Sequence, residues 1–202
     1  MPTFIKDFYR ISSYLIFSII LLISCKDRTP TGLGKAAIPA DKALATFTVA
    51  DGFKIEMIAS EPLITDPVDM EIDEFGRLYV VEMHGYPLDT KTGSGNIILL
   101  SDEDGDGNMD KRTVFADGLT LPTSVMRWKK GIIVTDAPHV LYFEDTDNDG
   151  KANLRDTLLS GFALSNPQHN VNTPIYGLDN WIYIAHEGSV TTREYKEEFG
   201  DE

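Results

Sequence analysis

Two acidic runs and one histidine supply the clearest chemistry-bearing side chains in this 202-residue sequence. The runs are Asp102-Glu103-Asp104-Gly105-Asp106-Gly107-Asn108-Met109-Asp110 and Asp145-Thr146-Asp147-Asn148-Asp149-Gly150-Lys151-Ala152-Asn153. Each sets acids at positions 1, 3 and 5, glycine at 6 and an oxygen-bearing side chain at 9. That spacing wraps hard oxygen ligands around one point while glycine makes the sharp turn, as in a calcium loop. The candidate ligands are Asp102, Asp104, Asp106 and Asp110 in the first run. In the second they are Asp145, Asp147, Asp149, Asn153 and Asp156, whose counterpart in the first is the weaker ligand Thr113. Neither run is flanked by two helical patterns, so these are not EF-hands, and bound Ca2+ would serve structure. The alternative is a solvated acidic turn. His169 lies in the polar stretch Ser165 to Pro174. An imidazole there can take a proton from a substrate hydroxyl; the alternative is a loop histidine bonded to nearby amides. His84, His139 and His186 lack a metal-ligand spacing and read as structural or rim residues.

The elements that would position these groups are strands. Short β-rich runs alternate with turn signals: Phe53–Ile58, Asp69–Ile72, Leu78–Glu82, Asn96–Leu100, Arg112–Phe115, Ile132–Thr135, Val140–Phe143, Thr157–Leu159, Ile175–Tyr176 and Trp181–Ala185. No sustained 3.6-residue apolar stripe accompanies them, so the fold class is all-β. A helical turn is expected over Ala43–Phe47. The pattern also repeats. The acidic loops begin 43 residues apart, each preceded by an apolar strand and followed by another. A second repeated unit, a polar turn and then a strand, recurs at Asp73–Val80, Lys129–Val134 and Gly177–Ile184. A period of about 40 to 50 residues with four strands per unit is the signature of a β-propeller. A β-sandwich is the alternative. From residue 45 onward there is room for about three blades, and the chain ends on a polar run without a closing strand. A closed propeller needs at least four. Residues 45–202 are therefore expected to be an incomplete propeller, truncated at the C-terminus.

The N-terminus predicts export. Lys6 and Arg10 precede an apolar run, Tyr14 to Ile23, that is short of the roughly 20 residues of a bilayer span. Leu22-Ile23-Ser24-Cys25 follows as a lipobox. The expectation is a signal peptide over 1–24, lipid on Cys25 and a polar tether over 25–44, holding the chain to a membrane and facing the periplasm or the cell exterior. A short uncleaved anchor is the alternative. Cys25 is the single cysteine, so a mature chain would contain no disulfide, no thiolate metal site and no haem attachment motif. The formal charge of −14 repels phosphate backbones, which excludes nucleic acid as a partner.

Several longer stretches carry a resemblance: Gly52–Val68, Leu78–Pro87, the acidic unit ending in Val114-Phe115-Ala116-Asp117-Gly118-Leu119, and Gln168–Tyr183. Together they resemble the N-terminal propeller of the membrane-bound dehydrogenase group of Planctomycetes, Verrucomicrobia and Bacteroidetes. That group is similar to the soluble quinoprotein glucose/sorbosone dehydrogenases, six-bladed propellers that use pyrroloquinoline quinone (PQQ) and calcium. Their catalytic histidine stands in the pattern H-x7-G-x-D-x2-I-Y, which His169, Gly177, Asp179, Ile182 and Tyr183 match. The resemblance thus implies His169 as general base, PQQ as cofactor, a sugar or related alcohol as substrate and a cytochrome c as electron acceptor.

The departures are specific. Asn170 stands where the family has an arginine, and Glu82-Met83-His84 where it has Glu-Met-Arg. Thr123 and Ser124 occupy the region of the glutamine that assists the base. The expected function is the front part of a lipid-anchored oxidoreductase. The rival expectation is a non-catalytic surface propeller that binds a glycan or a protein partner.

Overall fold

The computed structural model describes residues 37–87 and 89–187. The chain divides into two units, Met1–Pro39 and Ala40–Glu202, and the described strands lie in the second. The expected leader and Cys25 lie outside the described residues. No helix among the described residues is long and apolar enough to cross a membrane.

The unit opens with a helical turn, α1 (Ala40–Ala43), continued by a 3-10 turn over Leu44–Thr46, close to the turn expected from sequence. Strands follow almost without interruption. β1 (Pro67–Ile72), β2 (Leu78–Glu82), β3 (Gly95–Ser101) and β4 (Lys111–Leu119) form one antiparallel sheet in sequence order. β5 (Pro122–Trp128), β6 (Gly131–Asp136), β7 (His139–Glu144) and β8 (Leu154–Ser160) form a second of the same topology. β9 (Asn172–Tyr176) and β10 (Ile182–Ala185) form a third, two-stranded among the described residues. No sheet among the described residues closes into a barrel. The first strands lie side by side, β1 next to β5 and β5 next to β9.

Two expectations are corrected. Phe53–Ile58 is irregular rather than a strand, because no strand among the described residues pairs with its backbone; Phe53 is 76% exposed. β5 is a strand that the run of turn signals conceals. Pro122 supplies no amide, yet it is tolerated at the first position of the strand, where the register against β6 shifts. The two repeated units fall where the pattern implies. The polar turns join β1 to β2, β5 to β6 and β9 to β10, and the acidic loops join β3 to β4 and β7 to β8.

Strand alternation determines how the sheets stack, since residues directly opposite one another share a face. In the first sheet Tyr79, Val81, Ile97 and Leu99 share one face and pack on Val125, Ile132, Val134, Leu141 and Phe143 of the second. The other face of the second sheet, with Met126, Ile133 and Val140, packs on Ile182 and Ile184 of the third. The same strand positions are used each time: Leu78, Ile132 and Ile182 face backward along the stack, and Tyr79, Ile133 and Tyr183 face forward. Each fully buried aliphatic side chain in these layers contributes about 1.5–3 kcal/mol. A polar clasp repeats alongside. Asp69, opposite Val81, accepts the Val125 amide (3.0 Å), and Ser124, opposite Thr135, accepts the Thr173 amide (2.9 Å).

Candidate functional site

The end of the sheets at which β1, β5 and β9 begin gathers most of the chain's histidine and buried acid. Two of those acids are architectural. Glu82, at the end of β2, is fully buried, and its Oε1 accepts the Thr65 amide at 2.9 Å. Asp136, at the end of β6, is 3% exposed and accepts the amides of Thr120 (3.0 Å) and Leu121 (2.8 Å). Each carboxylate fastens the turn that leads into its sheet's first strand. Burial pushes the Asp136 carboxyl above its ordinary range, against the pull of those amides.

The third sheet departs from this scheme. His186 follows the end of β10 and stacks edge-on against Phe162 at 5.6 Å, and the acid comes one residue later, at Glu187. His169 ends a 3-10 turn, Pro167–His169, which starts with Asn166 accepting the Gln168 amide at 3.2 Å. The His169 Nδ1 atom faces the Glu187 carboxylate, and the Glu187 amide donates to the His169 carbonyl at 3.5 Å. Both side chains remain accessible, 43% and 64% exposed. A carboxylate placed at Nδ1 can orient an imidazole and leave Nε2 to accept a proton, which is what a general base requires.

The first sheet carries the same pair with its charges exchanged. Asp66 lies three residues before Asp69, as His169 lies three before Asn172, and both Asp69 and Asn172 pair with the second strand at the equivalent place. Asp66 Oδ2 is 3.1 Å from His84 Nδ1, and the other ring nitrogen of His84 is 3.2 Å from Glu82 Oε2. Arg112 completes this cluster with a 2.8 Å bond to the same Glu82 oxygen. A groove of about 430 Å3 opens beside it, lined by Pro67, Val68, Met83, His84 and Tyr86.

The residues after His169 are held firmly. Thr123 Oγ1 donates to the Val171 carbonyl at 2.6 Å, and the Ser124 clasp takes the Thr173 amide. These two residues therefore position the His169 segment from β5. Asn170 is 2% exposed, and neither polar atom of its carboxamide has a hydrogen-bond partner. An unpaired buried amide costs about 1–3 kcal/mol.

The residue pattern that carries the resemblance around His169 separates into two parts. Gly177, Asp179 and Tyr183 build the β9–β10 hairpin, at the far end of β9 from His169. The Gly177 amide donates to Trp181 O (2.7 Å), and Tyr183 Oη donates to Asp179 Oδ2 (2.5 Å). A Cβ on Gly177 would meet Asp179 Oδ1 at 2.5 Å. His139 is likewise structural, its Nδ1 lying 3.0 Å from Ser160 Oγ.

The acidic loops lie at the hairpin end too, away from His169. Their first three acids converge: ligand oxygens of Asp102, Asp104 and Asp106 lie within 4.8 Å of one another, as do those of Asp145, Asp147 and Asp149. The two loops share one internal wiring. Asp102 accepts the Gly107 amide at 2.8 Å and Asp145 the Gly150 amide at 2.8 Å. Asp110 accepts the amide of Glu103, and Asn153 that of Thr146, both at 2.9 Å. The Asp110 and Asn153 side chains thus cap the loops, and Asp156 lies in β8 opposite Tyr142. The Gly107 and Gly105 amides hold the Asp102 carboxyl below the ordinary range. For Asp145 partial burial works in the opposite direction, and the Gly150 and Asn148 amides outweigh it to hold the carboxyl low.

Sequence reasoning found His169 and the two acidic triads. It missed Glu187 and the Asp66–His84 pair, because each joins the start of a first strand to the end of a second, 18 residues away in both cases. The available signal was topological: in an antiparallel hairpin those two points meet.

Fold and site together define an all-β protein of stacked antiparallel sheets with histidine–carboxylate pairs at one end. The chain belongs to the family described as a domain of unknown function, DUF7133, whose model matches residues 39–202. No curated protein and no solved structure matches it.

Proposed function

We propose that this chain is the propeller portion of a lipid-anchored, quinoprotein-type oxidoreductase that oxidises a hydroxyl of a sugar or related alcohol. The observation that carries the reading is the His169–Glu187 pair, an accessible imidazole oriented by a carboxylate where a first strand begins. The stacking supports the propeller part. Four-stranded antiparallel meanders recur, their first strands lie side by side, and the same strand positions face forward in each. In the reaction His169 Nε2 takes the hydroxyl proton while hydride leaves the same carbon for the acceptor, and the product is a carbonyl. Asp66, Glu82 and Glu187 make this end acidic, which favours a neutral polyhydroxyl substrate over an anionic one.

PQQ is the cofactor the resemblance implies, and its carboxylates call for cations. The described residues at this end do not fit that need by themselves. Arg112 is bonded to Glu82, and Asn170 stands in place of the family's arginine. The role of His169 is the same for any hydride acceptor. Calcium held by the two acidic loops belongs to the reading as a structural ion, and lipid on Cys25 as the anchor that sets the chain at the cell envelope.

The test is dye reduction by the complete reading frame that carries this chain, supplied with quinone and calcium, across a panel of sugars and alcohols. Turnover should appear and fall at least about a hundredfold in His169→Ala, with a smaller loss in Glu187→Gln. No turnover with any substrate, or wild-type turnover in His169→Ala, overturns the reading. The buried, unpartnered Asn170 favours a second reading, a surface propeller that binds a glycan or protein without turnover. Glycan binding that survives His169→Ala, with no redox activity, would select it.

A further inference from the structure

The first two sheets each carry four strands, and the junction between them opens at its hairpin end into a cleft of about 380 Å3. Its walls come from the β1–β2 turn, the β5–β6 turn and the start of the second acidic loop. This is the end of the sheets opposite His169. The chain has 18 lysines and arginines against 32 acids, yet four of those cations, Arg77, Arg127, Lys129 and Lys130, line this one cleft. Its volume is that of a small-molecule pocket rather than of a bare ion.

The acids of the lining are engaged, and several of its donors are not. Glu74 Oε2 pairs with Arg127 at 3.2 Å, Glu144 Oε2 accepts the Tyr142 hydroxyl at 2.6 Å, and Asp145 Oδ2 accepts the Gly150 amide at 2.8 Å. Arg77 is fixed in place: its Nε donates to the buried Asp73 carboxylate at 2.7 Å, and its guanidinium lies 5.4 Å from the Phe75 ring centre. Its two terminal nitrogens have no hydrogen-bond partner among the described residues, and Lys130 forms no ion pair there. Tyr79 is the second sign of a ligand. It is 3% exposed, edge-on to Phe115 at 5.0 Å, with the Arg127 guanidinium 5.6 Å from its ring. Its hydroxyl nevertheless has no hydrogen-bond partner among the described residues. A buried phenol ordinarily finds one, and the cleft is the side from which a partner can come. Burial pushes this phenol above its ordinary range, against the pull of Arg77 and Arg127, so at neutral pH it is a donor.

We propose that this cleft binds a small sugar acid, a saccharide whose carboxylate is taken by Arg77, Tyr79 and Lys130. The terminal nitrogens of a guanidinium match the two oxygens of a carboxylate side by side, and the phenol and the lysine complete the donors. A single negative charge suits a lining in which four cations face three acids, Glu74, Glu144 and Asp145, better than a doubly charged phosphate does. Glu144 Oε1 is left to accept a hydroxyl of the sugar, and the Phe75 ring, 74% exposed, offers an apolar face to it. The site is separate from the reaction proposed at His169 and does not depend on it.

Calorimetric titration of the complete reading frame that carries this chain tests the proposal, with D-glucuronate and D-galacturonate as probes up to about 50 mM. At least one should bind, with glucose and inorganic sulfate at least about tenfold weaker, since one lacks the charge and the other the sugar. Arg77→Gln should weaken the uronate at least about tenfold. That change also unpairs the buried Asp73, so two milder variants accompany it. Tyr79→Phe keeps the ring packing, and Lys130→Gln alters an exposed turn; each should weaken binding about threefold. His169→Ala should bind like wild type, so loss of turnover and loss of this binding are read apart. No binding of either uronate overturns the proposal. So does glucose or sulfate binding as tightly as the uronate, and so do Tyr79→Phe and Lys130→Gln proteins that bind like wild type.

Discussion

Asp69 and Val125 join the first two sheets through a single hydrogen bond, side-chain Oδ2 to main-chain amide, at 3.0 Å. Ser124 repeats the bond to Thr173 one sheet further on. Removing the acceptor leaves a part-buried amide unsatisfied, so Asp69→Ala should lower unfolding free energy by about 1–3 kcal/mol in urea titrations. Asp69→Asn keeps a carbonyl oxygen there and should lose less than half as much. Equal losses from the two variants would show that the clasp does not contribute through that oxygen.

Gly131 opens β6 where no side chain fits. A Cβ there would lie 2.0 Å from the Phe143 carbonyl oxygen and 2.8 Å from the Tyr142 ring, and backbone cannot yield as a flexible side chain can. Gly131→Ala is expected to destabilise by about 1–3 kcal/mol, read as a drop in the urea midpoint. Gly105→Ala, with open space around its Cβ but a φ of 80°, should be limited to the smaller cost of the left-handed backbone, about 1 kcal/mol.

Asp136 sets a pH dependence whose sign is unusual for a carboxylate. Burial raises its folded pKa above the ordinary 3.8, so the folded chain holds the proton more tightly than the unfolded chain. Its ionisation therefore weakens the fold at neutral pH, and that penalty is relieved as pH falls through the folded pKa toward 3.8. Asp136→Asn does not titrate. The melting temperature of wild type relative to this variant should accordingly rise on acidification; a difference independent of pH would contradict the shift.

Asp102 and Asp145 behave in the opposite sense. Amide donors hold both below 3.8, so their contribution is present above that pH and is lost as pH falls through their folded values. Both are ionised at neutral pH and available to a cation. Calcium at about a hundred times its dissociation constant should stabilise the chain by about 2.7 kcal/mol per site, and a chelator should reverse it. Asp149→Ala should abolish the part due to the second loop in calcium-dependent melts.

Much of this architecture was legible from local pattern. The β-rich runs Leu78–Glu82 and Val140–Phe143, and the glycines in the two acidic loops, report interactions that close within a few residues. What escaped was fixed by distant partners. Pro122 and the polar Thr123-Ser124 pair disguise β5, whose strand character comes from lying between β6 and the neighbouring first strands. Phe53–Ile58 has strand composition but no partner strand among the described residues, and composition alone does not extend a backbone. Glu187 carries no local mark of its role; only the β9–β10 hairpin brings it to His169.

The acidic loops and His169 occupy opposite ends of the strands. A five-residue strand such as β9 spans about 17 Å, roughly twice the screening length of about 8 Å at physiological ionic strength. A cation gained, lost or exchanged in the loops is thus largely screened from the opposite end. The stability of this fold can be retuned for a saltier or more acidic surrounding at one end without rearranging the groups at the other.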